Sequence, residues 1–233
     1  MVGLMTFRDF LYRLKPSEIL HRRWVRREYN AHTDRLRRDV FMSIAAYAHI
    51  NRPIKGYYFE FGCHGAHTFR MAWDAFRRLF DWEFVAFDSF EGLPEIGDRD
   101  KQEIWQKGGL RTPAYDFVRT CLYHGIPANR FRIAQGFYDK TLNSHTATQL
   151  PHKAAVIYID CDLYQSAVPV LEFCRPFLQK GTVVVFDDWA CFMCDPAYGE
   201  RRAWHEFRER YPALKFEPFL LNGFQAAFVY LGE

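Results

Sequence analysis

With 233 residues, 49% of them hydrophobic and 18% aromatic, the chain has room for one α/β domain with a small appendage and can bury its core, which excludes a disordered chain. The net charge of +3 is small, so no nucleic-acid partner is expected. The six cysteines (Cys63, Cys121, Cys161, Cys174, Cys191, Cys194) are scattered, several of them inside apolar runs, and "MVGLMTFRDFLYRLK" has no apolar stretch long enough for a signal peptide. A reduced, cytoplasmic protein without a transmembrane segment is therefore expected.

Residues 1–38 hold ten basic residues and four acids, a bias that reads as a solvated helix face. The alternative is a module that uses this Arg-rich front end against RNA or a membrane. From Thr6 the pattern is amphipathic, with Phe7, Phe10, Leu11 and Leu14 on one face. Pro16 is expected to break that helix, with a second and a third to follow up to about Ile50. Pro53 and Gly56 in "NRPIKG" mark a turn. The expected division is 1–55 as a helical lid or dimerisation segment, with a homo-oligomer possible, and 56–233 as the main domain.

"YYFEFG" (57–62) predicts a short strand and "AHTFRMAWDAFRRLF" (66–80) the helix behind it. "EFVAFDSF" (83–90) predicts a second strand, and the charged, glycine-rich segment that follows a loop over a surface or site. "TPAYDFVRTCLYHG" predicts a helix capped by Thr112 with Pro113 in its first turn. "RFRIAQGFY" and "AAVIYID" predict further strands, "SAVPVLEFCRPFL" a helix interrupted by prolines, and "GTVVVFDD" a fifth strand. Runs such as Val156–Ile159 and Val183–Phe186, apolar throughout, predict a doubly wound, mostly parallel α/β sheet covered on both faces. Asn222-Gly223 between two strand-like segments predicts a closing antiparallel hairpin.

In such a sheet ligands bind outside the carboxyl ends of the strands. The polar residues there are Glu60, Gly62 and Gly65 after the first strand and Asp88 and Ser89 after the second. Gln135 and Gly136 follow the third, Asp160 and Asp162 the fourth, and Asp187 and Asp188 the fifth. "EFGCHG" is a glycine-containing strand-to-helix turn without the full G-x-G-x-x-G spacing. That absence speaks against the alternative of an NAD(P)-linked oxidoreductase. Asp88 stands where an acid can hold the two hydroxyls of a ribose. Asp160, Asp187 and Asp188 converge if strands four and five are neighbours. Two carboxylates about 4 Å apart repel by roughly 4 kcal/mol at a surface dielectric, so a cation is expected among them. An all-oxygen donor set favours Mg²⁺, or another hard divalent cation. Cys191 and Cys194 have C-x-x-C spacing but supply only half a zinc site. His64, His67 and His145 are candidate neighbours of the site.

The stretches "FEFGCHGAHT", "FVAFDSFEGLPE", "IDCDLYQSAVPVLEFCRPFLQKGTVVVFDDW" and "GERRAWHEF" together resemble the macrocin O-methyltransferase family, S-adenosylmethionine-dependent enzymes with the Rossmann-like class I methyltransferase fold. The resemblance covers about residues 57–230. It implies that Glu60, Gly62 and Gly65 line the methionine part of the cofactor. It also implies that Asp88 binds its ribose with Ser89 and Phe90 beside the adenosine, and that Asp160, Asp187 and Asp188 hold the metal. The implied reaction is methyl transfer to a hydroxyl of a small molecule, a sugar of a glycoside, glycan or natural product. Asp160 or Asp162 would take the proton, with His64 a weaker candidate base. Three positions depart from the family pattern: Ala167 for threonine, Thr182 for glycine and His205 for an acid. The first two read as structural, the third as close to the substrate side.

Overall fold

A computed structural model of the chain describes residues 16–233. The helix expected from Thr6 lies outside the described residues. The chain contains neither Pro nor Gly between Pro16 and Pro53, and in place of two further helices this segment forms one, α1 (Pro16–Ile50). Pro16 is the first described residue of α1, where a first-turn residue has no partner for its N–H anyway, and the break expected of it concerns residues outside the described ones. The first half of α1 is mostly exposed. From Val40 to Ala48 it turns Val40, Phe41, Ile44, Ala45 and Ala48 into the core.

Seven strands form one sheet: β1 (Tyr57–Phe61), β2 (Glu83–Asp88), β3 (Phe131–Gln135), β4 (Ala154–Ile159), β5 (Val183–Phe186), β6 (Lys215–Asn222) and β7 (Gln225–Gly232). Their order is β3-β2-β1-β4-β5-β7-β6. The first five are parallel, and β7 pairs antiparallel with both β5 and β6. The hairpin turn is Gly223-Phe224, one residue beyond the expected centre, with Gly223 at φ 63°.

The helices are α2 (His67–Phe76), α3 (Ala114–Tyr123), α4 (Tyr138–Thr141), α5 (Ser144–Thr148), α6 (Tyr164–Cys174) and α7 (Gly199–Arg210). Alternation along the buried strands splits the core in two. Tyr58, Phe84, Ala86, Tyr158, Val183 and Val185 pack with residues of α1, α2 and α3. Tyr57, Phe59, Phe61, Phe87, Ile157, Ile159 and Phe186 pack with residues of α6 and α7. Both faces are covered, as the apolar strand pattern requires.

Two local expectations change. Thr112 does not cap α3, which follows directly on Pro113 without a side-chain cap. Its hydroxyl lies 3.0 Å from His64 Nδ1 instead. α6 also runs through Pro169 without interruption, whereas the second proline of this stretch, Pro176, falls in a 3-10 turn just after the helix ends at Cys174. The donor missing at Pro169 deprives only the carbonyl of Gln165, and both residues line the cavity described next, so no buried acceptor is stranded.

Candidate active site

Strand order reverses between β1 and β4, and at their carboxyl ends lies a cavity of about 990 Å³. One wall is the turn from β1 into α2. Gly62 sits at φ 84°, and a Cβ there would fall 1.8 Å from the carbonyl oxygen of Asp160, so only glycine lets this turn lie against the end of β4. At Gly65 a Cβ would meet nothing within 4 Å, and the residue faces the cavity. Asp88 closes the turn from β2: its Oδ2 accepts the Cys63 and His64 N–H groups at 2.7 and 2.9 Å, and its Oδ1 the Phe90 N–H at 2.7 Å. The carboxylate still lines the cavity, with lone pairs left over for a ligand. Ser89 lines it too, with its hydroxyl donated to Gly92 O at 2.8 Å.

Glu60, Phe90, Gln135 and Gly136 do not line the cavity. Glu60 shares a sheet face with its neighbour Tyr158 but lies one residue short of the end of β1, fully buried, where it accepts hydrogen bonds from Tyr58 Oη and, at 2.8 Å, from Thr68 Oγ1. Burial pushes its carboxyl up to about 8 despite those bonds. Phe90 turns its ring into the core, 5.3 Å from that of Phe117. β3 ends on the sheet edge, and the segment after it, Phe137 to Lys140, forms the wall expected of Gln135 and Gly136.

The opposite wall is acidic. Asp160, Asp187 and Asp188 each offer a carboxylate oxygen within 4.8 Å of the others, as the adjacency of β4 and β5 requires. Asp162, at φ 61°, joins them beside Asp188 and the Trp105 indole. Burial first, then repulsion by neighbouring acids, raises Asp160 and Asp188 well above the carboxylate range and Asp162 to about 6. Asp188 and Asp162 share a hydrogen bond that Asp188 donates; Asp188 Oδ1 accepts from Cys191 Sγ at 3.5 Å, and Oδ2 is buried with no donor of the described residues on it. An orphaned carboxylate oxygen among acids this close fits a cation.

Three residues that face or support this wall carry no strand-end signal, and of them Arg37 alone lines the cavity. Glu200, in the first turn of α7 and 1% exposed, accepts the Cys161 and Asp188 N–H groups at 3.3 and 3.2 Å, tying the ends of β4 and β5 together. Arg37 of α1 reaches Asp187 with two nitrogens, at 3.2 and 2.6 Å. Asp100, from the loop 89–113, accepts the Tyr164 and Gln165 N–H groups at 2.8 and 3.3 Å and so caps α6 from outside the helix. The stretch "GERRAWHEF" contains Glu200; nothing local singles out the other two.

Among the histidines, His64 lines the cavity, and its Nδ1 lies 2.6 Å from Leu110 O. A carbonyl only accepts, so in the neutral ring Nδ1 carries the proton and Nε2 keeps a lone pair. His67 stands at the cavity wall, 2.8 Å from Asp34 of α1. His145 is exposed on α5, away from the cavity. His205 is exposed on α7 near Trp189 and does not line the cavity, contrary to its expected place on the substrate side. Ala167 is buried in the core, and Thr182 Oγ1 donates to Ala154 O at 2.6 Å; both are structural. Cys191 lies 3.5 Å from Asp188 Oδ1, whereas Cys194 is exposed.

Residues 37–214 match the family model of macrocin-O-methyltransferase (TylF). The chain belongs to the macrocin-O-methyltransferase family. Among curated proteins it is 33% identical over 130 residues to 8-demethyl-8-(2,3-dimethoxy-α-L-rhamnosyl)-tetracenomycin-C 4'-O-methyltransferase of Streptomyces olivaceus, covering 53% of this chain and 46% of that protein. It is 28% identical over 132 residues to mycinamicin III 3''-O-methyltransferase of Micromonospora griseorubida, covering 53% and 48%. The chain thus spans about half the length of the curated relatives it matches. The solved O-methyltransferase NovP superposes with a TM-score of 0.68 at 19% identity, over 85% of this chain and 80% of that one, which shows the shared fold. Among the described residues, no helix of this family member is long and apolar enough to cross a membrane.

Proposed function

We propose that this chain moves a methyl group from S-adenosylmethionine to a hydroxyl of a sugar-containing natural product or glycan, with a divalent cation in the acid cluster. One observation carries the reading. A single cavity at the β1/β4 switch point joins the glycine turn and Asp88, suited to an adenosyl cofactor, to an acidic wall suited to a cation. Family membership supports the transfer, and the two curated relatives, both named for methylation on a sugar-bearing product, support the acceptor class. An oxidoreductase on this sheet, or a module binding RNA or a membrane, gains no support from the family match.

Gly62 and Gly65 let the backbone approach the methionine part, and the free lone pairs of Asp88 take the ribose hydroxyls. When bound, the cofactor supplies an electrophilic methyl group on a sulfonium. The cation, held by Asp160, Asp187 and Asp188, would lower the pKa of an acceptor hydroxyl and fix its direction. What remains for the chain is to orient two reactants, exclude water and take one proton. Asp162 is the base of choice: it lines the cavity beside the acid cluster, within reach of an acceptor hydroxyl held there. His64 Nε2 is the second candidate.

The test is transfer of labelled methyl from S-adenosylmethionine to a panel of glycosides, with and without EDTA. Labelled product that disappears with EDTA and returns with Mg²⁺ is expected. Transfer that survives EDTA in Asp188→Asn removes the metal from the reading, and absence of cofactor binding removes the transfer itself.

A further inference from the structure

The acid cluster already contains one cation, and α1 supplies it. Arg37 Nε donates to Asp187 Oδ1 at 3.2 Å and Nη2 to Oδ2 at 2.6 Å. The same Oδ1 also accepts from Tyr158 Oη and, at 2.6 Å, from Gln225 Nε2. Both oxygens of Asp187, on a side chain only 1% exposed, are therefore engaged, while Oδ2 of the adjacent Asp188 is buried and bare. The place of Arg37 is fixed from its other side. Its guanidinium lies 5.1 Å over the Phe224 ring, and Asn222 Nδ2 donates to Leu36 O at 2.9 Å. A Cβ on Gly223 would fall 2.6 Å from Leu36 Cδ1, so the hairpin turn is keyed to this point of α1. Three residues earlier, Asp34 meets His67 at the cavity wall.

We propose that Arg37 is a positioning residue that competes with the divalent cation for Asp187, so that filling the acid cluster loosens α1 from the end of β5. The proposal rests on the metal reading above. A divalent ion within reach of Asp160, Asp187 and Asp188 needs an oxygen that the guanidinium holds, and the two positive charges repel at that range. Coupling of this kind is reciprocal: whatever Arg37 costs the ion in affinity, the ion costs the ion pair. The segment of α1 around Asp34–Arg37 is thereby tight on the cavity without the ion and looser with it.

The experiment is a Mn²⁺ titration of the full chain, followed by the electron paramagnetic resonance of the free ion, on wild type, Arg37→Gln and Arg37→Lys. Arg37→Gln is expected to bind Mn²⁺ more tightly by about 5- to 150-fold, the range of ordinary coupling between sites. Arg37→Lys, which keeps the charge but loses the two-pronged geometry, should fall between. In wild type alone, amide hydrogen exchange in α1 near Arg37 should quicken when Mn²⁺ is added. Equal or weaker Mn²⁺ affinity in Arg37→Gln, or exchange in wild type that ignores Mn²⁺, overturns the role of Arg37 and leaves the metal reading standing. Absence of Mn²⁺ binding in all three proteins overturns the two together.

Discussion

At the scale of single residues, the buried acids divide by what they face. Glu60 faces the core with two hydroxyl donors and no cation, so its proton leaves only near pH 8. In the unfolded chain the same carboxyl ionises near its ordinary value. Between about pH 4.5 and 8 the unfolded state therefore binds fewer protons, and this group's contribution to stability falls as pH rises, by a few kcal/mol in all. Glu60→Gln has no such titration, so its thermal stability relative to wild type should improve steadily from pH 5 to pH 9. A difference independent of pH, measured by melting in matched buffers, would remove this assignment. Asp162 faces the cavity, and Asp162→Asn should lower the methyl-transfer rate by roughly 10² to 10⁴ while leaving cofactor affinity unchanged. Single-turnover kinetics with a separate binding titration distinguishes the two effects. Asp160, Asp187 and Asp188 were legible because each ends an apolar strand. Glu60 shares its sheet face with Tyr158 and Val185, two residues before Asp160 and Asp187, but it lies inside β1 and is sealed off by Tyr58 and Thr68, which position along the chain alone does not reveal. Arg37 stands 150 residues from its partner within a run of arginines, so only the folded chain singles it out.

At the scale of elements, the loop 89–113 owes its place to Asp100. α6 begins without a side-chain cap of its own, and Asp100, 1% exposed, supplies one from the loop. Trp105 then approaches Asp162, and the Trp105 ring lies 5.1 Å from that of Phe192, joining this loop to the one after β5. Asp100→Ala should cost about 1 kcal/mol of stability, the usual worth of a cap, and expose the loop to proteolysis. Cleavage within 89–113 many times faster than in wild type is the expected result; unchanged cleavage would show that the cap does not hold the loop. The sequence marks this segment as a loop over a site through its glycines and charges. It cannot show where Asp100 docks, because capping across 64 residues depends on tertiary geometry. α1 illustrates the same limit: two helices were expected up to about Ile50, and only the absence of further Pro or Gly up to Pro53 hinted at one long helix.

At the scale of the whole molecule, the fold was legible because its determinants are local and repeated. Apolar strands such as Val156–Ile159 demand cover on two faces, and Asn222-Gly223 announces a hairpin. The strand order, which those features leave open, then places the carboxyl ends of β1, β2, β4 and β5 around one cavity. The wall from Phe137 to Lys140 was not legible, since the chain turns sharply into α4 beyond the edge strand β3. The central claim is that this cavity holds an adenosyl cofactor against the β1 turn, with its ribose at Asp88 and its sulfur directed toward the acid cluster. The most direct measurement is a crystal structure of the chain with S-adenosylhomocysteine. Density for the ribose within hydrogen-bond distance of the Asp88 carboxylate, with the sulfur on the side of Asp160 and Asp162, is the expected result. Cofactor density elsewhere, or a cavity that stays free of it while the protein binds the compound in solution, would contradict it.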